Sequence, residues 1–204
     1  MVYDIPTDLP PEIVPLSWLL GVWEGSGHVE YKVGEETREQ AFRQRVSFSH
    51  DGLPYLNYSA QLWLEEGTGD EPVQVPLTGE TGFWRLARAR DDGDVGPGYL
   101  PPTAPPTITD ADGVEGLRDE EQAFPLEVSI VHPTGLLERY SGSARGPRID
   151  LKTEEVLLAP GAKEFTASTR MYGYVAGELL WAWDIAALGQ ELATHASAKL
   201  AKLD

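Results

Sequence analysis

The sequence predicts an all-β protein, a single antiparallel barrel of roughly ten strands with a short helical turn ahead of it. Three observations carry this. Apolar and polar residues alternate with a period of two in segment after segment. Glycine, 21 residues in a chain of 204, recurs at short spacing between those segments, as turns between antiparallel strands require. The crossover helices that a parallel sheet needs have no room between them.

Residues 1–15 read as a lead-in. Its prolines, Pro6, Pro10, Pro11 and Pro15, prevent a long helix, and Asp8 is placed to cap a short turn opened by Pro10 and Pro11. Strands are expected near 19–25, 27–33, 40–49, 54–65, 78–88, 123–132, 136–143, 148–157, 163–174 and 177–186. Phe42, Gln44, Val46 and Phe48 share one face, with Arg43, Arg45 and Ser47 on the other. Leu126, Val128 and Ile130 alternate with Glu127 and Ser129. Phe165, Ala167, Thr169 and Met171 alternate with Thr166, Ser168 and Arg170, and Leu179, Trp181, Trp183 and Ile185 with Leu180, Ala182 and Asp184. Residues 91–122 are acidic, proline-rich and without apolar periodicity, and read as a mobile inserted loop between two strands. The run from Glu191 to Leu203 is helical by propensity, yet Thr194, Ala196, Ala198 and Leu200 also alternate with His195, Ser197 and Lys199 as in a strand. The whole chain, 1–204, is expected to be one domain.

Composition excludes several classes of chemistry. Cysteine is absent, so there is no disulfide, thiolate metal site, iron–sulfur cluster or cysteine nucleophile. Acidic residues outnumber basic ones 33 to 16, a formal net charge of -17 that repels nucleic-acid phosphates and anionic lipid. No apolar run approaches the roughly 20 residues of a membrane-spanning helix. The acidic, proline-broken N-terminus does not resemble a secretory signal, so the expected location is the cytoplasm.

Histidine chemistry must come from His28, His50, His132 and His195. His50 precedes Asp51-Gly52 and reads as a turn residue. His132, in His132-Pro133-Thr134-Gly135, reads as a turn histidine bonded to local backbone. His195 stands among small residues, Thr194, Ala196, Ser197 and Ala198, which would let a flat group lie against it, and a lone imidazole is able to hold haem iron. No histidines are spaced for a local zinc site, and no Gly-x-Ser-x-Gly elbow is present. Lys163 is a cation at the start of a strand, by default a surface lysine, otherwise a partner for an anionic group on a ligand. In Gly21-Val22-Trp23-Glu24-Gly25-Ser26-Gly27 the spacing matches neither a dinucleotide fingerprint nor a phosphate loop. Its glycines permit close backbone approach and its tryptophan would plug the closed end of a barrel.

Several of these motifs, in order, resemble the nitrobindin family. They are Gly21-x-Trp23-x-Gly25-x-Gly27 with Tyr31, Gly79-Glu80-Thr81-Gly82-Phe83-Trp84-Arg85, His132-Pro133-Thr134-Gly135, Leu158-Ala159-Pro160-Gly161-Ala162-Lys163-Glu164, and Gly189-Gln190-Glu191-Leu192-Ala193-Thr194-His195. The family's longer glycine motif is broken here by Val29 and Lys32. The resemblance implies a ten-stranded, calycin or fatty-acid-binding-protein-like barrel holding one haem b in its mouth. It implies His195 as the axial iron ligand and Lys163 beside the haem, with Gly21, Trp23, Gly25 and Gly27 as a structural motif. It also implies a ferric haem isomerase that converts peroxynitrite to nitrate, binds nitric oxide reversibly and has no catalytic group beyond the iron. A homodimer is one arrangement compatible with it. Trp181, Trp183, Phe165 and Met171 would be wall or core residues. The net charge of -17 opposes anionic ligands at long range, an effect that screening over about 8 Å weakens. The alternative is a haem-free barrel carrying a lipophilic molecule such as a fatty acid, for which Arg43, Arg45 or Arg85 would have to face inward.

Overall fold

The computed structural model describes residues 9–33, 36–67 and 73–203. Ten strands form one closed antiparallel barrel: β1 Gly21–Val33, β2 Glu36–Ser49, β3 Leu56–Glu66, β4 Val73–Leu86, β5 Phe124–Val131, β6 Leu136–Arg145, β7 Arg148–Leu158, β8 Phe165–Val175, β9 Glu178–Ala187 and β10 Ala193–Lys202. Each strand pairs with its sequence neighbour, and β10 closes on β1. The two segments expected at 19–25 and 27–33 are one continuous strand, β1. The tail that could have been helix is β10, because pairing with β1 and β9 outweighs the helical propensity of alanine. The expected number of strands is therefore right, through one division too many and one strand left open.

A 3-10 helix, Pro11–Leu19, precedes the barrel, with Pro10 at its N-cap. Asp8, and residues 1–8 of the lead-in generally, lie outside the described residues. Ile13, Leu16 and Leu19 of this helix are buried and close the barrel end where β1 starts. Trp23 is fully buried beside them, and its indole N–H donates to the Leu19 carbonyl at 2.7 Å. The core continues through Phe42, Phe48, Trp84 and Tyr140, all fully or almost fully buried, each contributing roughly 2–3 kcal/mol of apolar transfer.

The glycine motif acts where the barrel closes. A Cβ on Gly25 would stand 2.2 Å from the Lys199 carbonyl oxygen, and one on Gly27 would stand 2.2 Å from that of Ser197. β10 approaches β1 too closely for any side chain at these positions, and this approach fixes the strand that carries His195.

The segment joining β4 to β5 holds a short helix, α1 Ala111–Glu115, capped by the Asp110 side chain, which accepts from the Gly113 N–H at 2.9 Å. It packs beside the 3-10 helix at the closed end, away from the His195 end of the barrel. Arg88 ties the parts together, bonding Glu12 of the 3-10 helix and Asp94 of the insertion. Among the described residues no helix is long and apolar enough to cross a membrane.

Candidate functional site

The end opposite the 3-10 helix opens into a hollow of about 250 Å³. The inward faces of β2 and β9 supply Phe42, Gln44, Trp181, Trp183 and Ile185, the faces the alternation predicts. Val29, Leu62, Leu77, Phe165 and Ala196 add to an apolar wall.

His195 reaches this hollow through a break in strand pairing. In β10, Ala196, Ala198 and Leu200 face the core, so strict alternation would turn His195 outward. Against β9, however, Thr194 pairs with Asp184 and Ala196 with Trp183, which leaves His195 as the extra residue of a β-bulge. The bulge re-aims the side chain into the mouth. There the imidazole lies edge-on to Trp183, ring centroids 5.7 Å apart. Its Nδ1 is 2.9 Å from the Glu30 backbone carbonyl. A carbonyl only accepts, so Nδ1 carries the proton and Nε2 keeps its lone pair. Burial pushes the imidazole below its ordinary value of 6.5, with the Glu30 carbonyl opposing in part. The result is a neutral nitrogen donor in an apolar mouth.

A second bulge lies on the other neighbour of β9. Phe165 pairs with Ala187 and Ala167 with Ala186, so Thr166 is extra and the phase of β8 reverses. Phe165 lines the hollow, but beyond the bulge Ser168, Arg170 and Tyr172 face inward. Met171, expected in the wall or core, is 42% exposed on the outside.

The reversal places a buried charge beneath the hollow. Arg170 donates to both Glu80 oxygens, Nη1 to Oε1 at 2.7 Å and Nη2 to Oε2 at 2.8 Å, and through Nε to the Tyr140 hydroxyl at 2.9 Å. Tyr58 donates to Glu80 at 2.5 Å. Burial alone would push the Glu80 carboxyl up, but the Arg170 guanidinium and these hydrogen bonds bring it down to about 2. Burial raises the Tyr58 and Tyr140 hydroxyls well above the ordinary range, so both stay protonated. Glu138 accepts from Tyr140 and Ser168, each at 2.6 Å, and meets His132 Nε2 at 2.8 Å. His132 is thus not a turn histidine bonded to local backbone. It is buried, stacked nearly parallel on Trp183 and held beside two carboxylates. Its inward direction was legible, since Leu126, Val128, Ile130 and His132 share one phase. Glu80 and Glu138 were missed among 33 acidic residues, although each continues the inward phase of its strand, with Trp84 and with Leu136 and Tyr140.

Of the remaining sequence candidates, His28 is exposed and 3.9 Å from Glu39, and the His50 ring accepts from the Gly52 N–H in a turn. Lys163 is exposed on the loop between β7 and β8 and does not line the hollow. That loop meets the one before β10, where the Leu188 N–H donates to the Glu164 carbonyl at 3.3 Å.

Comparison with known proteins agrees with the barrel fold. Residues 12–202 match the model of the THAP4-like, heme-binding beta-barrel domain. The chain belongs to this family. It is 56% identical over 201 residues to a peroxynitrite isomerase of Clavibacter sepedonicus, covering 98% of this chain and 99% of that one. It is 54% identical, with the same coverage, to a peroxynitrite isomerase of Leifsonia xyli subsp. xyli. Among solved structures it is similar to Rv2717c from M. tuberculosis, with a TM-score of 0.64 and 26% identity over 98% of this chain and all of that one. The ten-stranded barrel and the nitrobindin resemblance are thus both borne out.

The donor set fits the family's cofactor. One neutral nitrogen, oriented by a backbone carbonyl and set in an apolar wall, is the arrangement of an axial haem ligand. It is not that of a structural zinc, which needs four protein ligands, and among the described residues no cluster of three or more histidine, aspartate or glutamate side chains gathers for a metal.

Proposed function

We propose that this chain holds one haem b in the mouth of the barrel, with His195 Nε2 as the axial ligand, and isomerises peroxynitrite to nitrate there. The single observation that carries this is the bulge at His195, which turns an outward position inward and commits Nδ1 to the Glu30 carbonyl. When bound, ferric haem would supply the Lewis-acid chemistry that isomerises peroxynitrite.

The chain's own residues do the rest. His195 binds the metal without bringing charge. Phe42, Leu62, Phe165 and Trp181 exclude water from the apolar wall. Arg170 is matched by Glu80, so the floor offers no free cation to retain an anionic product. Lys163, on the rim loop, is a cation available to a haem propionate. Reversible nitric oxide binding belongs to the same reading and needs no charge in the pocket.

The carrier reading has less support. Arg43 and Arg45 alternate with buried Phe42, Gln44 and Val46 and so face outward, and Arg85 pairs with Glu127. The inward arginine, Arg170, already holds a carboxylate of the chain itself.

The test is titration of the purified protein with hemin, followed by stopped-flow decay of peroxynitrite with nitrate yield. The expected result is a saturable Soret band at one hemin per chain and catalysed decay, both lost in His195→Ala. A His195→Ala protein with the wild-type spectrum and rate would overturn the proposal.

A further inference from the structure

The loop before β10 contains a residue whose conformation and exposure are both unfavourable. Ala187-Leu188-Gly189-Gln190 is a tight turn closed by a bond from the Gln190 N–H to the Ala187 carbonyl at 2.9 Å. Leu188 has φ +52° and Gly189 φ +74°, the two left-handed central residues of a type I′ turn. Such a turn favours asparagine, aspartate or glycine at its first central position, where a side chain is strained. The hairpin between β8 and β9 has the same pattern with a small residue, Ala176 at φ +53° before Gly177 at φ +91°. Leu188 instead brings a large apolar side chain, 61% exposed. With most of its surface in solvent, the side chain gains little from packing to set against the backbone strain.

Its position suggests what offsets both. The loop leaves β9 just after the cavity residues Trp183 and Ile185 and enters β10 just before His195. It is bonded to the loop that carries Lys163. The hollow measures about 250 Å³, below the roughly 300–1,000 Å³ that encloses a drug-sized ligand, and a porphyrin lies at the large end of that class. Part of a bound porphyrin must therefore stand outside the hollow, next to the rim.

We propose that Leu188 is a cofactor-retaining residue, held in a strained turn so that its side chain covers the part of the porphyrin that the hollow leaves outside. This rests on the haem reading above and goes beyond it by assigning a contact outside the hollow. Occupancy of the mouth buries the leucine, and the strain carried by the apo chain is the cost of keeping it there.

The experiment measures hemin dissociation into excess apomyoglobin for the wild-type protein, Leu188→Asn, Leu188→Met and Leu53→Ala, together with the Tm of each apo form. Asparagine suits the turn and removes the apolar cover, and Leu53 is a partly exposed leucine at the far end of the barrel. Leu188→Asn is expected to release hemin about fivefold faster or more, the change expected from uncovering part of a leucine's apolar surface, with an apo Tm equal to or above wild type. Leu188→Met and Leu53→Ala are expected to stay within about twofold of wild type. Release from Leu188→Asn at the wild-type rate would overturn the proposal while leaving the haem reading intact. A lowered apo Tm for Leu188→Asn would also overturn it, since the leucine would then be packed in the chain itself. A wild-type protein that takes up no hemin would overturn both.

Discussion

Arg170 and Glu80 form a two-pronged ion pair inside the barrel, joining β8 to β4 across the interior directly beneath the hollow. Both side chains are more than nine-tenths buried. Removing Glu80 leaves Arg170 with Glu138, 3.6 Å away, as its remaining carboxylate and without its two-pronged partner, so Glu80→Gln is expected to cost about 3 kcal/mol in chemical denaturation. The pH dependence has a definite sign. The Glu80 carboxyl is lowered in the folded protein from 4.5 to about 2, so the folded state binds fewer protons than the unfolded one across that window. Its contribution of about 3 kcal/mol is complete above the unfolded value and fades as the pH falls toward 2. Wild type should lose stability over this acid range more steeply than Glu80→Gln does.

His195 gives a second pH prediction, also with loss on acidification. Only a neutral imidazole ligates iron, and burial holds this group below the ordinary histidine value of 6.5. Hemin should stay bound as the pH passes through 6.5 and be released at a lower midpoint, read from the Soret band. Folding linkage has the same sign, because protonation favours the unfolded chain, where the imidazole titrates normally. A release midpoint above 6.5 would contradict a neutral, desolvated imidazole as the ligand.

Much of the barrel was legible because β2, β5 and β9 keep an unbroken period of two. The errors fall where pairing departs from that period. The bulges at Thr166 and His195 each insert a residue opposite β9, and each reverses which side chains face inward. A bulge depends on what the neighbouring strand offers, so neither local sequence records it. This is why Met171 was assigned to the wall and Arg170 was not. His195 stands out by its small neighbours and by resemblance, but its own alternation turns it outward. The network of Glu80, Glu138, His132 and Arg170 was hidden for a related reason. His132 and Glu138 meet across a single hairpin, but Glu80 and Arg170 are 90 residues apart and meet only across the closed barrel.

The glycine motif yields a third prediction. In Gly27→Ala the new methyl would meet the Ser197 carbonyl oxygen at 2.2 Å and the Ala198 Cβ at 2.6 Å, neither of which yields without moving β10. The expected cost is about 1–3 kcal/mol of stability, with weaker hemin binding because the displaced strand carries His195. Gly52→Ala separates crowding from backbone conformation. Gly52 has φ +77° and nothing within 4 Å of an added Cβ, so this change should cost only the left-handed strain, about 1–2 kcal/mol, and leave hemin affinity unchanged.

Arg88 supplies the last prediction, at the closed end. Its guanidinium bonds Glu12 at 2.9 and 3.1 Å and Asp94 at 2.7 and 2.8 Å, and all three side chains are close to nine-tenths buried. The bond from Arg88 holds the Asp94 carboxyl down at about 2, so Asp94 is charged at neutral pH. Arg88→Met keeps the volume but removes the Glu12 ion pair and leaves Asp94 to Arg90, 3.2 Å away, which should cost about 3 kcal/mol locally. The insertion should come away from the 3-10 helix before the barrel opens, since β4 and β5 remain paired from Thr81 to Leu86 without it. Limited proteolysis is expected to cut within residues 91–122 of Arg88→Met at a protease level that leaves wild type intact. Hemin uptake should not change, because the mouth lies at the other end. Equal protection of the two proteins would show that the insertion is held by its apolar contacts, chiefly Val114 against the closed-end core, rather than by the arginine.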